Sequence, residues 1–163
     1  MAEPIKQTKR RLKQIEQDLN AIEDEIKRRI NADQTLAQRF AILTSIPGIG
    51  FVGAIALLIE MPELGSLERA QAASLAGLAP MARQSGKRTG KAHIQGGRAI
   101  VRRALYMPAL SAARFNADLE SFYRRLINAG KPNKVALTAL MRKILILANT
   151  LLKEERPWRP KHA

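Results

Sequence analysis

The sequence predicts an all-α protein, with an N-terminal coiled-coil helix ahead of a small helical domain, and three observations predict it. Apolar residues recur at steps of three and four along most of the chain. No stretch of useful length alternates apolar with polar residues. Glycine and proline gather at a few points that cut the chain into helix-sized pieces. With 163 residues there is room for a coiled arm and a globule, but not for a large enzyme around an enclosed site.

The first element is carried by Ile5, Leu12, Ile15, Leu19, Ile22 and Ile26, a heptad seam broken at Thr8 and ended by Arg29. Glu16, Glu23 and Glu25 alternate with Lys13, Lys27 and Arg28 outside it. About three heptads suit pairing with another helix, so a homo-oligomer through this coil is expected; a helix folded back on its own domain is the alternative. Leu36–Ser45 and Phe51–Glu60 read as short helices, and Leu67–Leu78 as a third with Ser66 as cap and Gly77 and Pro80 as stops. Met81–Gly97 holds four glycines among Lys, Arg, Ser and Thr and reads as a loop or small irregular ribbon. Arg98–Phe115 is helical, with Pro108 expected to kink it near Ala104 or divide it. Asp118–Asn128 follows, then a break at Gly130-Lys131-Pro132. A long helix runs from a cap at Asn133 to about Lys153 with Leu137, Leu140, Met141, Ile144, Leu145, Ala148 and Leu152 on its core face. The expected boundaries are 1–34 for the coil, 35–153 for the helical domain with a hairpin at 36–60, and 154–163 for a basic tail.

Charge narrows the partner. The net charge is +14, and its distribution is uneven: residues 41–68 carry three acids and no base, whereas residues 69–117 carry nine bases and no acid. Such a field draws polyanions, which makes a nucleic acid the default partner. A membrane surface is not expected, since aromatic residues are only 4% and are not sorted onto a helix face. Phe40–Ile59 is free of charge over the length of a span, yet Pro47, Gly48, Gly50 and Gly53 divide it into two buried helices and a turn. Cysteine is absent and the histidines are His93 and His162, so thiol chemistry and zinc knuckles are excluded. Residues 1–11 are polar and basic without an apolar core, so no signal peptide is read and a cytoplasmic protein is expected.

Two segments carry candidate chemistry. Ile46-Pro47-Gly48-Ile49-Gly50 between two apolar helices fits a helix-hairpin-helix, a turn that meets a DNA strand. Pro47 presets one turn position, Gly48 takes the positive φ after it, Ile49 plugs into the helix pair, and Gly50 lets a phosphate near bare backbone. Amide groups there make an anion nest that needs no cationic side chain, of a kind that reads backbone and not base sequence. A connector between two core helices is the plainer alternative. Arg83-Gln84-Ser85-Gly86-Lys87-Arg88 places one hydroxyl among three cations. From the residues alone, Ser85 either bonds a phosphate or its own backbone, or acts as a nucleophile with Arg83, Lys87 and Arg88 offsetting charge on a phosphoryl group. Lys91, Arg98, Arg102 and Arg103 extend the set of expected DNA contacts.

The order Leu43-Thr44-Ser45-Ile46-Pro47-Gly48-Ile49-Gly50, Ala76-Gly77-Leu78-Ala79-Pro80, Arg83-Gln84-Ser85-Gly86-Lys87 and Gly97-Arg98-Ala99-Ile100-Val101-Arg102-Arg103-Ala104-Leu105-Tyr106 resembles the C-terminal domain of insertion-sequence transposases of the 110/116/902 family. The resemblance runs from about Leu43 to Leu152. It implies a DNA recombinase of mobile elements in a bacterial or archaeal nucleoid, with Ser85 at the position of the family's nucleophile. It also implies a structured RNA of the element as a partner, and Mg²⁺ held by a RuvC-like domain. That domain should precede the coil, so the chain is expected to be the C-terminal part of a transposase, idle alone and with no cofactor of its own. The nearest acids to Ser85 in sequence, Glu68 and Asp118, agree with this. Two further readings are a non-catalytic helix-hairpin-helix adaptor dimerised by its coil, and a helical scaffold for an acidic protein.

Overall fold

The computed structural model describes residues 2–81, 84–85, 88–89 and 93–160. They form two compact units, Met1–Gln38 and Arg39–Ala163. Among the described residues there are seven helices and four strands of two residues each: α1 (Ala2–Ala32), α2 (Gln34–Ser45), α3 (Phe51–Glu60), α4 (Arg69–Leu75), β1 (Pro80–Met81), β2 (Gln84–Ser85), β3 (Arg88–Thr89), β4 (His93–Ile94), α5 (Ala99–Phe115), α6 (Ala117–Asn128) and α7 (Asn133–Lys153). The all-α class is as expected, and the described residues between Pro80 and Ile94 pair as short strands, β1 antiparallel to β4 and β2 antiparallel to β3.

In the first unit α1 is one continuous helix through Arg29 to Ala32. Asp33 then caps the next helix, accepting the Leu36 amide at 3.0 Å. The α1 side chains Ile5, Leu12, Ile15, Leu19 and Ile22 are exposed.

In the second unit α5 packs on α3, α6 and α7, and α7 also packs on α4 and α6. All seven predicted core-face residues of α7 are buried. By length and composition α7 could cross a membrane, but 56% of its most apolar window is buried within the protein. The uncharged window from Phe40 to Ile59 is split between α2 and α3, as its glycines and proline require.

Three expected details are corrected. α4 is shorter than Leu67–Leu78, and its cap is Glu68, whose amide bonds the Gln71 side chain at 2.9 Å. Ser66 instead belongs to the preceding turn, its hydroxyl donating to the Glu63 carbonyl. The turn is held from α7: buried Asn149 accepts the Gly65 amide and donates to the Leu67 carbonyl, both at 2.8 Å. Pro108 does not divide α5, which runs through it; the residue is buried against α3, where a Cβ on Gly53 would lie 3.4 Å from the proline ring. α7 begins at Asn133 with Pro132 as its cap, because the Pro132 carbonyl accepts the Val135 and Ala136 amides. The segment after Lys153 turns back, and the Trp158 amide donates to the Ser45 hydroxyl at 2.8 Å.

Candidate nucleic-acid interface and serine ribbon

The turn between α2 and α3 forms as its residues dictate. The Ile49 amide donates to the Ile46 carbonyl at 3.0 Å, Pro47 occupies the second position and Gly48 the third with φ of 101°. Ile46 and Ile49 are buried. Gly48 faces inward: a Cβ there would lie 2.5 Å from the Pro108 carbonyl oxygen and 3.2 Å from the Ala112 amide. Its glycine is therefore required by packing against α5. Gly50 differs, since it is exposed, has ordinary extended backbone, and has nothing within 4 Å of where a Cβ would stand. It caps α3 without a side chain, so the amides opening α3 receive no side-chain cap.

The cations of α5 divide into two kinds. Arg98 pairs with the Glu63 carboxylate at 2.6 Å and donates to the Glu60 carbonyl. Arg102 donates to the carbonyls of Ala76 and Gly96. Both guanidiniums are thus engaged in holding the end of α3 and the end of α4. Arg103 is exposed, and its helix-surface neighbours Ile100, Tyr106 and Met107 are exposed with it. The sequence reading missed this mixed patch. Its signal was present, because these four positions lie off the buried row Val101, Leu105, Pro108, Ala109 and Ala112.

Ser85 lies in β2, and the register sets it opposite Arg88 of β3, with Gln84 opposite Thr89. The outer pair matches Pro80 with Ile94 and Met81 with His93. Arg83, Lys87 and Lys91 lie outside the described residues. Carboxylates do not gather into a magnesium site here: among the described residues no three His, Asp or Glu side chains converge.

Fold and site together define a small, basic, all-α module whose β-ribbon carries a glycine-flanked serine. The chain belongs to the Transposase IS116/IS110/IS902 family, whose profile matches residues 40–124. It is 34% identical over 145 residues to the pilin gene-inverting protein of Moraxella bovis, covering 86% of this chain and 45% of that protein. The pilin gene-inverting protein of Moraxella lacunata matches to the same extent. An uncharacterized 43.6 kDa protein of insertion element IS110 from Streptomyces coelicolor is 30% identical over 115 residues, 69% of this chain and 28% of that protein. The chain thus spans less than half the length of these curated relatives, and it corresponds to the family's C-terminal region. Membership connects it with DNA transposition and recombination.

Proposed function

We propose that this chain is the part of an insertion-sequence recombinase that grips DNA by its backbone and carries the nucleophile, Ser85. The observation that carries the proposal is the register of the ribbon, which seats Ser85 opposite Arg88 in an acid-free stretch of a transposase-family chain. In the reaction the Ser85 oxygen bonds a DNA phosphorus as its proton passes to a base, the bond from phosphorus to a deoxyribose oxygen breaks, and that oxygen takes up a proton from a general acid or water. The phosphoserine ester keeps the bond energy needed for rejoining. The base and a Mg²⁺ ion would be supplied by the RuvC-like domain that the family resemblance implies. A helix-hairpin-helix at α2–α3 contacts phosphate through Gly50 and the amides that open α3. The α1 seam pairs copies of the chain as a coiled coil, and a structured RNA of the element is a further partner.

Binding to duplex or branched DNA tests this. For roughly five phosphate contacts, affinity should fall about 10²–10³-fold between 50 and 200 mM salt. A flat response in a filter-binding titration would overturn the electrostatic grip. Arg103→Ala should lower the logarithmic salt slope by about one, whereas Arg98→Ala and Arg102→Ala should act first on thermal stability.

The two glycines of the turn separate a DNA role from a packing role. Gly50→Val has space and an ordinary backbone, so it should melt like the parent while weakening DNA binding. Gly48→Ala meets backbone and a positive φ and should cost about 2–4 kcal/mol of stability. Unchanged DNA affinity in a well-folded Gly50→Val protein would remove the turn from the interface.

A further inference from the structure

α1 separates its charges along its length. From Lys6 to Lys13 there are five cations and no acid, and from Glu16 to Glu25 five acids and no cation. The apolar side chains between them are uncovered, with Ile5, Leu12, Ile15, Leu19 and Ile22 between 48% and 59% exposed. Leu12 and Leu19 occupy one core position of the heptad, Ile15 and Ile22 the other.

A parallel, in-register pair sets each block beside its like. Arg11 then meets the partner's Glu16, but Asp18 meets the partner's Glu23. An antiparallel pair centred on Gln17 layers Leu12 on the partner's Ile22 and Ile15 on the partner's Leu19. It also brings Lys9 to the partner's Glu23 and Arg11 to the partner's Glu25. Two-fold symmetry makes each of those attractions twice, against one like-charge meeting at Glu16 and one at Asp18 near the axis. Glu25 is already served within its own helix, where the hydrogen bond from Arg29 and the charge of Arg28 hold its carboxyl below the usual range. Much of the selectivity therefore falls on Lys9 with the partner's Glu23.

We propose that α1 docks antiparallel on α1 of a second copy of this chain. The proposal rests on the coiled-coil reading above and adds its direction. Direction has a consequence for DNA handling. A 31-residue helix is about 45 Å long, so an antiparallel pair sets the C-terminal ends of the two α1 helices about that far apart, where a parallel pair sets them side by side.

The cysteine-free chain gives a direct test, since introduced thiols are the only ones present. Full-length Leu12→Cys and Ile22→Cys proteins are oxidised with glutathione disulfide, separately and as a mixture, and run on non-reducing gels. The expected result is a covalent dimer in the mixture and monomer from each variant alone, because only that pairing brings Cα atoms within disulfide range. Dimer from Leu12→Cys alone means parallel packing and overturns the proposal. Sedimentation of the parent protein distinguishes the remaining failures: a monomer removes the coiled coil itself, and a dimer without cross-links in the mixture removes the antiparallel arrangement. Lys9→Glu with Arg11→Glu should weaken the dimer about tenfold at low salt, and pairing that survives unchanged counts against the charge argument.

Discussion

Ser85→Ala should abolish recombination while leaving DNA affinity within about twofold of the parent. If Ser85 is the nucleophile as proposed, the expected loss is more than about 10³-fold when the rest of the recombinase is supplied in trans. The separation of the two effects is the informative part. A serine hydroxyl would donate at most one hydrogen bond to the proposed phosphate-contacting interface, so its loss should barely register in binding. In the proposed role it would form the bond on which every later strand exchange depends. Recombination retained by the alanine variant would take Ser85 out of the mechanism and favour the non-catalytic adaptor. Ser85→Cys is a useful companion, since a thiol preserves a nucleophile at that place while changing its reactivity. Trapped protein–DNA adducts from the parent and none from Ser85→Ala would locate the bond.

The helices were legible because their signals are local. The helix of α1, the turn at Pro47–Gly48 and the core row of α7 follow from period and from glycine and proline chemistry, and each is where the sequence indicates. The boundaries that moved were decided by contacts from afar. α4 starts late because Asn149, more than eighty positions away, fixes residues 65 and 67 in a turn. No periodicity announces such a partner, although an asparagine beside the apolar row of a core helix is the kind of residue that needs one. Pro108 is expected to kink α5 near Ala104 or to divide it, and helix propensity alone supports either; the helix is not divided. Packing of its ring under α3 at Gly53 outweighs the missing hydrogen bond.

The candidate site was legible in part. Composition identified a cationic stretch but treated its arginines as equivalent, and the structure separates them. Arg98 and Arg102 point their guanidiniums at carbonyls and at Glu63, so part of the charge that seemed available to DNA is spent within the fold. Charge counting cannot make that distinction, because it depends on which carbonyls a helix end leaves unpaired. Likewise Gly48 and Gly50 look alike in the motif, and only the approach of α5 shows that one packs and the other faces solvent.

Gly77→Ala should be among the substitutions most damaging to the fold, together with Gly97→Ala. Gly77 ends α4 with φ of 65°, and a Cβ there would stand 2.1 Å from the Gly96 carbonyl oxygen and 2.2 Å from the Arg102 guanidinium. The arginine could swing aside, but the backbone of Gly96 cannot. A Cβ on Gly97 would in turn lie 2.1 Å from the Gly77 amide, so the end of α4 and the exit of the ribbon touch backbone to backbone. Arg102 fastens the crossing through Ala76 and Gly96, and the Arg98 amide adds a bond to the Leu75 carbonyl at 2.8 Å. Separating these chains costs more than about 4 kcal/mol, a melting-point loss of the order of 15 °C for a unit of this size. Gly96→Ala is the control. Its φ of 69° imposes the same backbone strain, yet nothing lies within 4 Å of its Cβ position, so its cost should stay near 1–2 kcal/mol. If the two alanine variants melt together by circular dichroism, strain alone accounts for Gly77 and the crossing is not tight. If Gly77→Ala melts far lower, the serine ribbon is anchored at its exit by this contact, and a partly folded variant should lose recombination before it loses DNA binding.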